Sequence, residues 1–405
     1  MQTYQLILFA SSVLLVAFVV DRFANSKRIP SVILMIATGV FAKWAAEQYK
    51  FDIGDVDDAV STLGSVGLVL IVLEGAMDLD ASRNRWPTAV KATLSAVIGI
   101  VLCAGVFVFA GMSLFNLASY QALILATPLA VISSAVAIPS SGLLAPEGRA
   151  FVVYESSMSD IFGVLLFFAI AASDGTPSDI AAGLFGGGGA SLMIALVVAL
   201  AMVGALSRMD GHVRFIPLLA GLFALYAIGK LLHLSPLILV LVFGLLVNNY
   251  SLWIRFRPIR RWADASFPAT VVEFKGFVRE LTFAARGVFF ILLGYWANLS
   301  DLLAWQVWGI AAVVLVSIYA SRYLLLTALR QTLAAPLTWI APRGLITILL
   351  YFSAKQVVTP PPFMEGAMLL VVLISSSLTL LARPGPKSSV LATEHQRTGS
   401  TTFSA

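Results

Sequence analysis

The 405-residue sequence carries little charge. Only 12% of its residues are Asp, Glu, Lys or Arg, against about 25% in ordinary soluble domains. With 59% hydrophobic residues it has too little polar surface to cover itself in water, which excludes a cytosolic enzyme and a disordered protein. It has one cysteine, Cys103. No intrachain disulfide can form, so a secreted disulfide scaffold is excluded too. Its three histidines, His212, His233 and His395, do not cluster, and with a single thiol they make no transition-metal site. There is no Gly-rich phosphate loop in a strand–helix context and no credible Ser-His-Asp set. No cofactor and no enzymatic reaction are expected. The net charge of +5 includes an arginine run at 255–261. That run reads as an orientation signal and an anionic-lipid contact, and no nucleic-acid partner is expected.

What the chain does have is long apolar runs. A membrane-spanning helix needs about 20 mostly apolar residues. Thirteen such stretches occur, at 3–20, 29–48, 58–80, 86–112, 119–143, 148–173, 180–207, 214–233, 235–249, 269–298, 303–329, 333–356 and 362–382. Turn residues punctuate them, such as Trp86-Pro87, Ser235-Pro236 and Pro360-Pro361-Pro362. The first lacks a positive n-region and a small-residue cleavage site, so it reads as a retained helix. Residues 384–405 are polar and rich in Ser and Thr, and read as a short disordered cytoplasmic tail with no soluble domain appended. Residues 1–383 are then the transmembrane domain, in a lipid bilayer.

Orientation follows from the basic residues. The gaps after odd-numbered spans, counted with the span-end residues beside them, and the C-terminal tail hold sixteen Lys and Arg, while the opposite gaps counted the same way hold only Lys50 and Lys355. By the positive-inside rule the odd gaps are cytoplasmic, with the N-terminus outside and the C-terminus inside the cell membrane.

Thirteen spans divide into six, a linker and six, which gives the two halves opposite topology. Inverted repeats of this kind, with broken helices in matching positions, are a transporter pattern. The fifth span carries Thr127-Pro128 and Ile138-Pro139, and the twelfth carries Pro336 and Ala341-Pro342-Arg343-Gly344. Proline removes a backbone donor and disrupts the preceding turn. Unwound backbone at membrane depth is tolerated only inside protein or along a cavity. The linker contains Gly186 to Gly189, read as close helix packing.

A charge at the bilayer centre costs about 2.5–3.5 kcal/mol or more, so each needs a reason. The sixth span contains Tyr154-Glu155-Ser156-Ser157-Met158-Ser159-Asp160. Glu155 and Asp160 are about 7 Å apart along the axis and roughly 140° apart around it. Ser156 shares a face with Asp160, and Ser159 shares one with Glu155. One face can present a carboxylate and a hydroxyl to a hard cation while the other holds an ion pair. Arg343 cannot lose its proton and is the expected partner of Glu155. Glu74 is the remaining deep acid. Asp78 and Asp80 are expected to be solvated. Lys275, Arg279 and Glu280 fit an amphipathic segment leading into the tenth span. Arg286 and Arg322 lie deeper and either pair with acids or cap the carbonyls of broken helices.

In a low dielectric a carboxylate holds its proton more tightly, and a nearby cation drives that proton off. Proton and cation then compete for one site, and alternating access turns competition into exchange. Hydroxyls, carboxylates and freed carbonyls suit Na⁺, Li⁺ or K⁺. With one exchanging acid, the cycle is electroneutral. A transporter of the same architecture carrying another substrate, such as an organic anion, and a channel-like or non-transporting scaffold remain alternatives.

These residues resemble the monovalent cation:proton antiporter family 1, the sodium/proton exchangers. Glu155-Ser156-x-x-Ser159-Asp160 is similar to the family's Glu-Ser-x-x-Asn-Asp motif on the sixth of thirteen helices. Glu74-Gly75 resembles its acidic element on helix 3, Pro342-Arg343-Gly344 its Gly-x-Arg-Gly segment, and Phe283 to Gly294 its helix-10 segment. The resemblance implies that Asp160 carries the proton or cation. Ser156 would be a ligand, Thr127 would offer a backbone carbonyl, Glu74 would make a direct or water-mediated contact, and Ser159 would stand beside them. It implies a Glu155–Arg343 core pair and a homodimer. It also implies a moving core of about helices 3–6 and 10–13, with the rest as scaffold. Two departures touch the site. Ser159 stands where the family has Asn, and the Asp of the family's Thr-Asp-Pro is missing at Thr127-Pro128.

Overall fold

The computed structural model describes residues 3–27, 29–49, 57–79, 85–184, 188–206, 215–231, 236–253, 267–297, 302, 304–329, 331 and 334–382. Asp80, all three histidines, Gly186, Gly187 and the 384–405 tail lie outside them. Every regular element among the described residues is a helix, with no strand. In chain order they are α1 (Thr3–Lys27), α2 (Ser31–Gln48), α3 (Asp57–Asp78), α4 (Trp86–Phe115), α5 (Ser119–Ala130) and α6 (Ser134–Ser140). Next come α7 (Pro146–Ala171), α8 (Pro177–Ala182), α9 (Gly188–Leu206), α10 (Phe215–Leu231), α11 (Pro236–Asn248) and α12 (Tyr250–Trp253). The last are α13 (Phe267–Trp296), α14 (Trp305–Ala328), α15 (Ala334–Thr338), α16 (Leu345–Lys355) and α17 (Met364–Leu378).

Local chemistry sets several ends. Proline opens α7 and α8, where a missing N–H costs no hydrogen bond. Asn116 ends α4 in the left-handed conformation (φ 52°), and Leu117 N–H bonds back to Gly111 O at 3.2 Å. Among the described residues, five segments are long and apolar enough to cross a membrane: Trp86–Phe115, Ser119–Ser140, Pro146–Ala171, Trp305–Ala328 and Met364–Leu381. α4 and α14 turn large apolar side chains outward, among them Phe109 (74% exposed), Val101 (60%), Val316 (68%) and Leu324 (67%). In water such faces would aggregate, whereas against lipid they are the expected surface. The chain is a multi-pass helical membrane protein.

Packing forms two groups. In one, α2 lies along α13, which also packs on α1 and α3, while α11 packs on α3 and α9. In the other, α4 packs on α5, α7 and α14, and α14 on α17. α3 and α13 form the seam. α3 touches α7 and α16, and Trp296 of α13 meets Phe352 of α16 edge-on at 5.2 Å. Both were expected in the core, yet their most extensive contacts are with the other group.

The α2–α13 contact depends on glycine. A Cβ on Gly39 would overlap Ile291 O, and one on Gly294 would overlap Ile36 O. Two backbones this close exclude any larger residue. Gly39→Ala is therefore expected to destabilise by about 1–3 kcal/mol through overpacking. Gly105→Ala, whose Cβ meets open space, is expected to be close to neutral. Thermal unfolding of the two purified variants in detergent checks the difference.

Candidate ion-binding site

The fifth and twelfth apolar stretches are broken where their prolines sit. Residues 131–133 separate α5 from α6, and residues 339–344 separate α15 from α16. The two breaks meet: Ser133 N–H donates to Pro342 O at 3.0 Å. Gly344 allows the approach, because a Cβ there would lie 2.7 Å from Ser133 Oγ. Gly163 of α7 lies against Val131, where an added Cβ would overlap its side chain. The backbone of α7 is thereby pressed onto the first break.

This places Asp160 at the N-terminus of α6. Its Oδ2 accepts the Ser134 N–H at 3.3 Å, a position where free N–H groups and the helix dipole favour negative charge. Its Oδ1 is buried and has no hydrogen-bond partner, and the same is true of Ser133 Oγ and Ser157 Oγ. Asp160 is only 4% exposed. Among the described residues no Lys or Arg forms an ion pair with it.

The other expected ligands take varied places. Ser159 Oγ accepts the Ile132 N–H at 2.9 Å, satisfying a donor freed by the break. Ser156, one turn before Asp160, donates to Val152 O at 2.7 Å and keeps its lone pairs. Thr127 is fully buried in α5, one turn before the break, and donates to Leu123 O at 2.8 Å. Glu74 is half-buried on α3, in the electrostatic reach of Arg286, Asp78, Arg279 and Lys275. Its neighbour Gly75 packs on Ser157 of α7, whose Oγ would stand 3.5 Å from an added Cβ. Glu74 makes no hydrogen bond to the other expected ligands among the described residues. Ser133 and Ser134 were not singled out in the sequence. Their signal was two hydroxyl residues immediately after a proline-broken half-helix.

The expected Glu155–Arg343 pair is corrected. Glu155 binds Arg322 of α14 in a two-pronged pair, Nη1 to Oε1 at 2.8 Å and Nη2 to Oε2 at 2.7 Å. Ser95 of α4 donates to the same Oε1 at 2.6 Å. Arg322 Nε also donates to Leu337 O at 2.9 Å, so one guanidinium fastens α7, α14 and α15 together. Arg343 instead serves the breaks. Its Nε donates to Leu129 O at 2.6 Å and its Nη1 to Ala341 O at 3.1 Å. The physical reason is local: interrupted helices leave carbonyls without donors, and Arg343 stands beside them. Arg286 plays a similar part. Pro139 has no N–H to offer Ala135 O, and Arg286 Nη1 donates to that oxygen at 3.2 Å.

Asp78 is not simply solvated. Lys275 Nζ and Arg279 Nη2 reach its Oδ1 at 2.9 and 3.0 Å. Lys275 also donates to Met77 O, and Asn248 and Asn249 each donate to Leu79 O. Together they close the C-terminal end of α3.

A cavity of about 530 Å³ leads toward this region. Its walls come from the end of α1 (Asp21, Asn25), the start of α2 (Ser31 to Met35), the end of α6 (Pro139, Ser140), Arg286 and Thr379. It reaches Ala135 and Val136, the residues next to Ser134, which holds Asp160. The geometry thus offers one carboxylate, free on one side, beside two chain breaks that meet, with a cavity reaching the residues next to Ser134.

Known structures share this fold. The structure is similar to the sodium proton antiporter MjNhaP1 from Methanocaldococcus jannaschii at pH 8, with a TM-score of 0.68 and 19% identity over 94% of this chain and 96% of that one. A second structure of that antiporter, from an electron-microscopy map, gives 0.67 and 19% over 94% and 95%. At this identity the likeness is one of fold. No curated protein matches the sequence. The family model for sodium/hydrogen exchangers, transmembrane, matches residues 10–384. With that match covering nearly the whole chain, the protein belongs to the sodium/hydrogen exchanger family.

Proposed function

We propose that the protein exchanges Na⁺, with Li⁺ or K⁺ as further candidates, for H⁺ across the cell membrane, one for one. The observation that carries this reading is Asp160. It is buried, held through one oxygen by the N-terminus of α6, unsatisfied at the other, and in no ion pair with Lys or Arg among the described residues. A carboxylate so placed carries either a proton or a monovalent cation, and both loaded forms are neutral. Electroneutrality follows, since Glu155–Arg322 is a fixed pair and Arg343 keeps its proton. Ser156, Thr127, Ser159 and Glu74 are proposed to shape the site around Asp160. Ser133 joins them through its free hydroxyl. An organic-anion substrate fits less well, because the N-terminus that would attract an anion already holds a carboxylate.

The thirteen spans, the inverted repeat and the cytoplasmic C-terminus belong to this proposal, as does a homodimer. The basic-residue bias puts the end of α1, the start of α2 and the end of α6 on the cytoplasmic side. The cavity then opens inward. The moving unit is proposed to comprise the group built on α4–α7 and α14–α17, with α3 and α13 at its boundary.

The test uses acid-loaded proteoliposomes. Adding Na⁺, Li⁺ or K⁺ outside should drive protons out with at least one of them. Clamping the membrane potential at zero or at about 100 mV should leave that rate unchanged, although such a field is worth about 2.3 kcal/mol per net charge moved. A rate that follows the clamp would reject one-for-one exchange. No proton movement with any cation would reject the function.

A further inference from the structure

The cavity that reaches Ala135 and Val136, next to Ser134, holds one carboxylate among its described lining residues, Asp21, in the last two turns of α1. Asp21 is half-buried. Asn25, one turn later, donates Nδ2–H to its Oδ2 at 2.9 Å and fixes its orientation. At the inner end of the cavity stands Arg286, tied to Ala135 O. The surroundings are otherwise basic. Arg22 and Lys27 are exposed on the same helix, and the face assigned to the cytoplasm carries sixteen of the 26 Lys and Arg residues. That bias orients the protein but repels the cations it has to admit. A cleft with low-dielectric walls focuses the field of any charge placed in it, so a single acid in its wall acts far beyond contact distance.

We propose that Asp21 is a cation-collecting residue of the inner vestibule. It raises the local concentration of monovalent cation at the cavity mouth and offsets the surrounding Lys and Arg, while Asn25 positions its carboxylate. It takes no part in the exchange at Asp160. The inference rests on the exchange reading above and adds to it a determinant of cytoplasmic cation affinity.

The experiment is sided transport in proteoliposomes, with Na⁺ presented to the cytoplasmic or to the opposite face. In about 20 mM salt, where the Debye length exceeds 20 Å, Asp21→Asn should raise the cytoplasmic KM for Na⁺ about fivefold. It should leave kcat and the KM at the opposite face unchanged. With about 0.5 M choline chloride on both sides the difference should shrink toward unity, because screening acts within a few ångströms at that strength. Asp21→Glu should keep the parental KM. A parental KM in Asp21→Asn, a rise that salt does not diminish, or an equal rise from both faces overturns the inference and leaves exchange itself standing. A parent protein that moves no protons with any cation overturns the exchange reading first and this inference with it.

Discussion

Asp160→Asn is expected to abolish cation-driven proton movement, lowering the rate about a hundredfold or more, because an amide supplies neither an exchangeable proton nor a full negative charge. The fold should survive. Asn has the shape of Asp, and its side-chain oxygen can still accept the Ser134 N–H that Asp160 Oδ2 accepts now. It also relieves the cost of holding a charge in the membrane interior. Melting temperature should therefore stay the same or rise while transport disappears. Proton flux and thermal unfolding measured on one preparation check both halves. A variant that retains rapid exchange would show that the carboxylate is not the carrier.

The second large effect is on stability. Arg322→Ala should destabilise by about 3–5 kcal/mol, the usual cost of leaving one partner of a buried pair uncompensated. Glu155 would keep only the hydroxyl of Ser95, and Leu337 O would lose its donor. Adding Glu155→Gln should recover much of the loss, since the stranded charge is then gone. The double variant should thus lose much less than the sum of the two single losses, and that non-additivity is the signature of direct contact. Glu155→Gln combined with Arg343→Ala should be close to additive, because Arg343 donates to Leu129 O and Ala341 O rather than to Glu155. Melting temperatures of the singles and doubles in one detergent give both cycles. Coupling of Glu155 to Arg343 and not to Arg322 would contradict the geometry.

This pairing shows where the sequence stops being informative. Glu155 was recognisable as a buried acid in need of a cation, and three arginines at membrane depth, Arg286, Arg322 and Arg343, were available. Choosing among them takes the packing of α7 against α14, and Arg322 is 167 positions from Glu155. One clue was present: Arg343 follows Ala341-Pro342, so unsatisfied carbonyls were certain to lie beside it. Asp78 was misjudged for a similar reason. Its place at the end of α3 implied water, but α13 brings Lys275 and Arg279 to it. The broken helices, by contrast, were legible, because proline acts on the backbone whatever surrounds it. So was the burial of Asp160, a carboxylate in the middle of an apolar run. Ser133 and Ser134 were missed because their role depends on a backbone N–H and on the meeting of two breaks, neither of which side-chain identity reveals.

The departures from the family pattern are also clearer in three dimensions. Ser159, in the place of Asn, is used to hold Ile132 N–H at the break, a contact any side-chain oxygen of suitable reach can make. The missing acid at Thr127-Pro128 leaves the crossing with Asp160 facing the N-terminus of α6 and Arg343 facing the carbonyls.

The proposed exchange has one carboxylate alternating between a proton and a cation. Proton release on cation binding tests it most directly. Na⁺ is added to the purified protein in weakly buffered detergent solution, and released protons are counted with a pH dye or by calorimetry in buffers of different ionisation enthalpy. Competition at a single acid predicts release approaching about one proton per bound Na⁺ where the free site is protonated, falling toward zero as pH rises and the site empties beforehand. Asp160→Asn should release none. Cation binding with no proton release at any pH, or undiminished release in Asp160→Asn, would contradict the account.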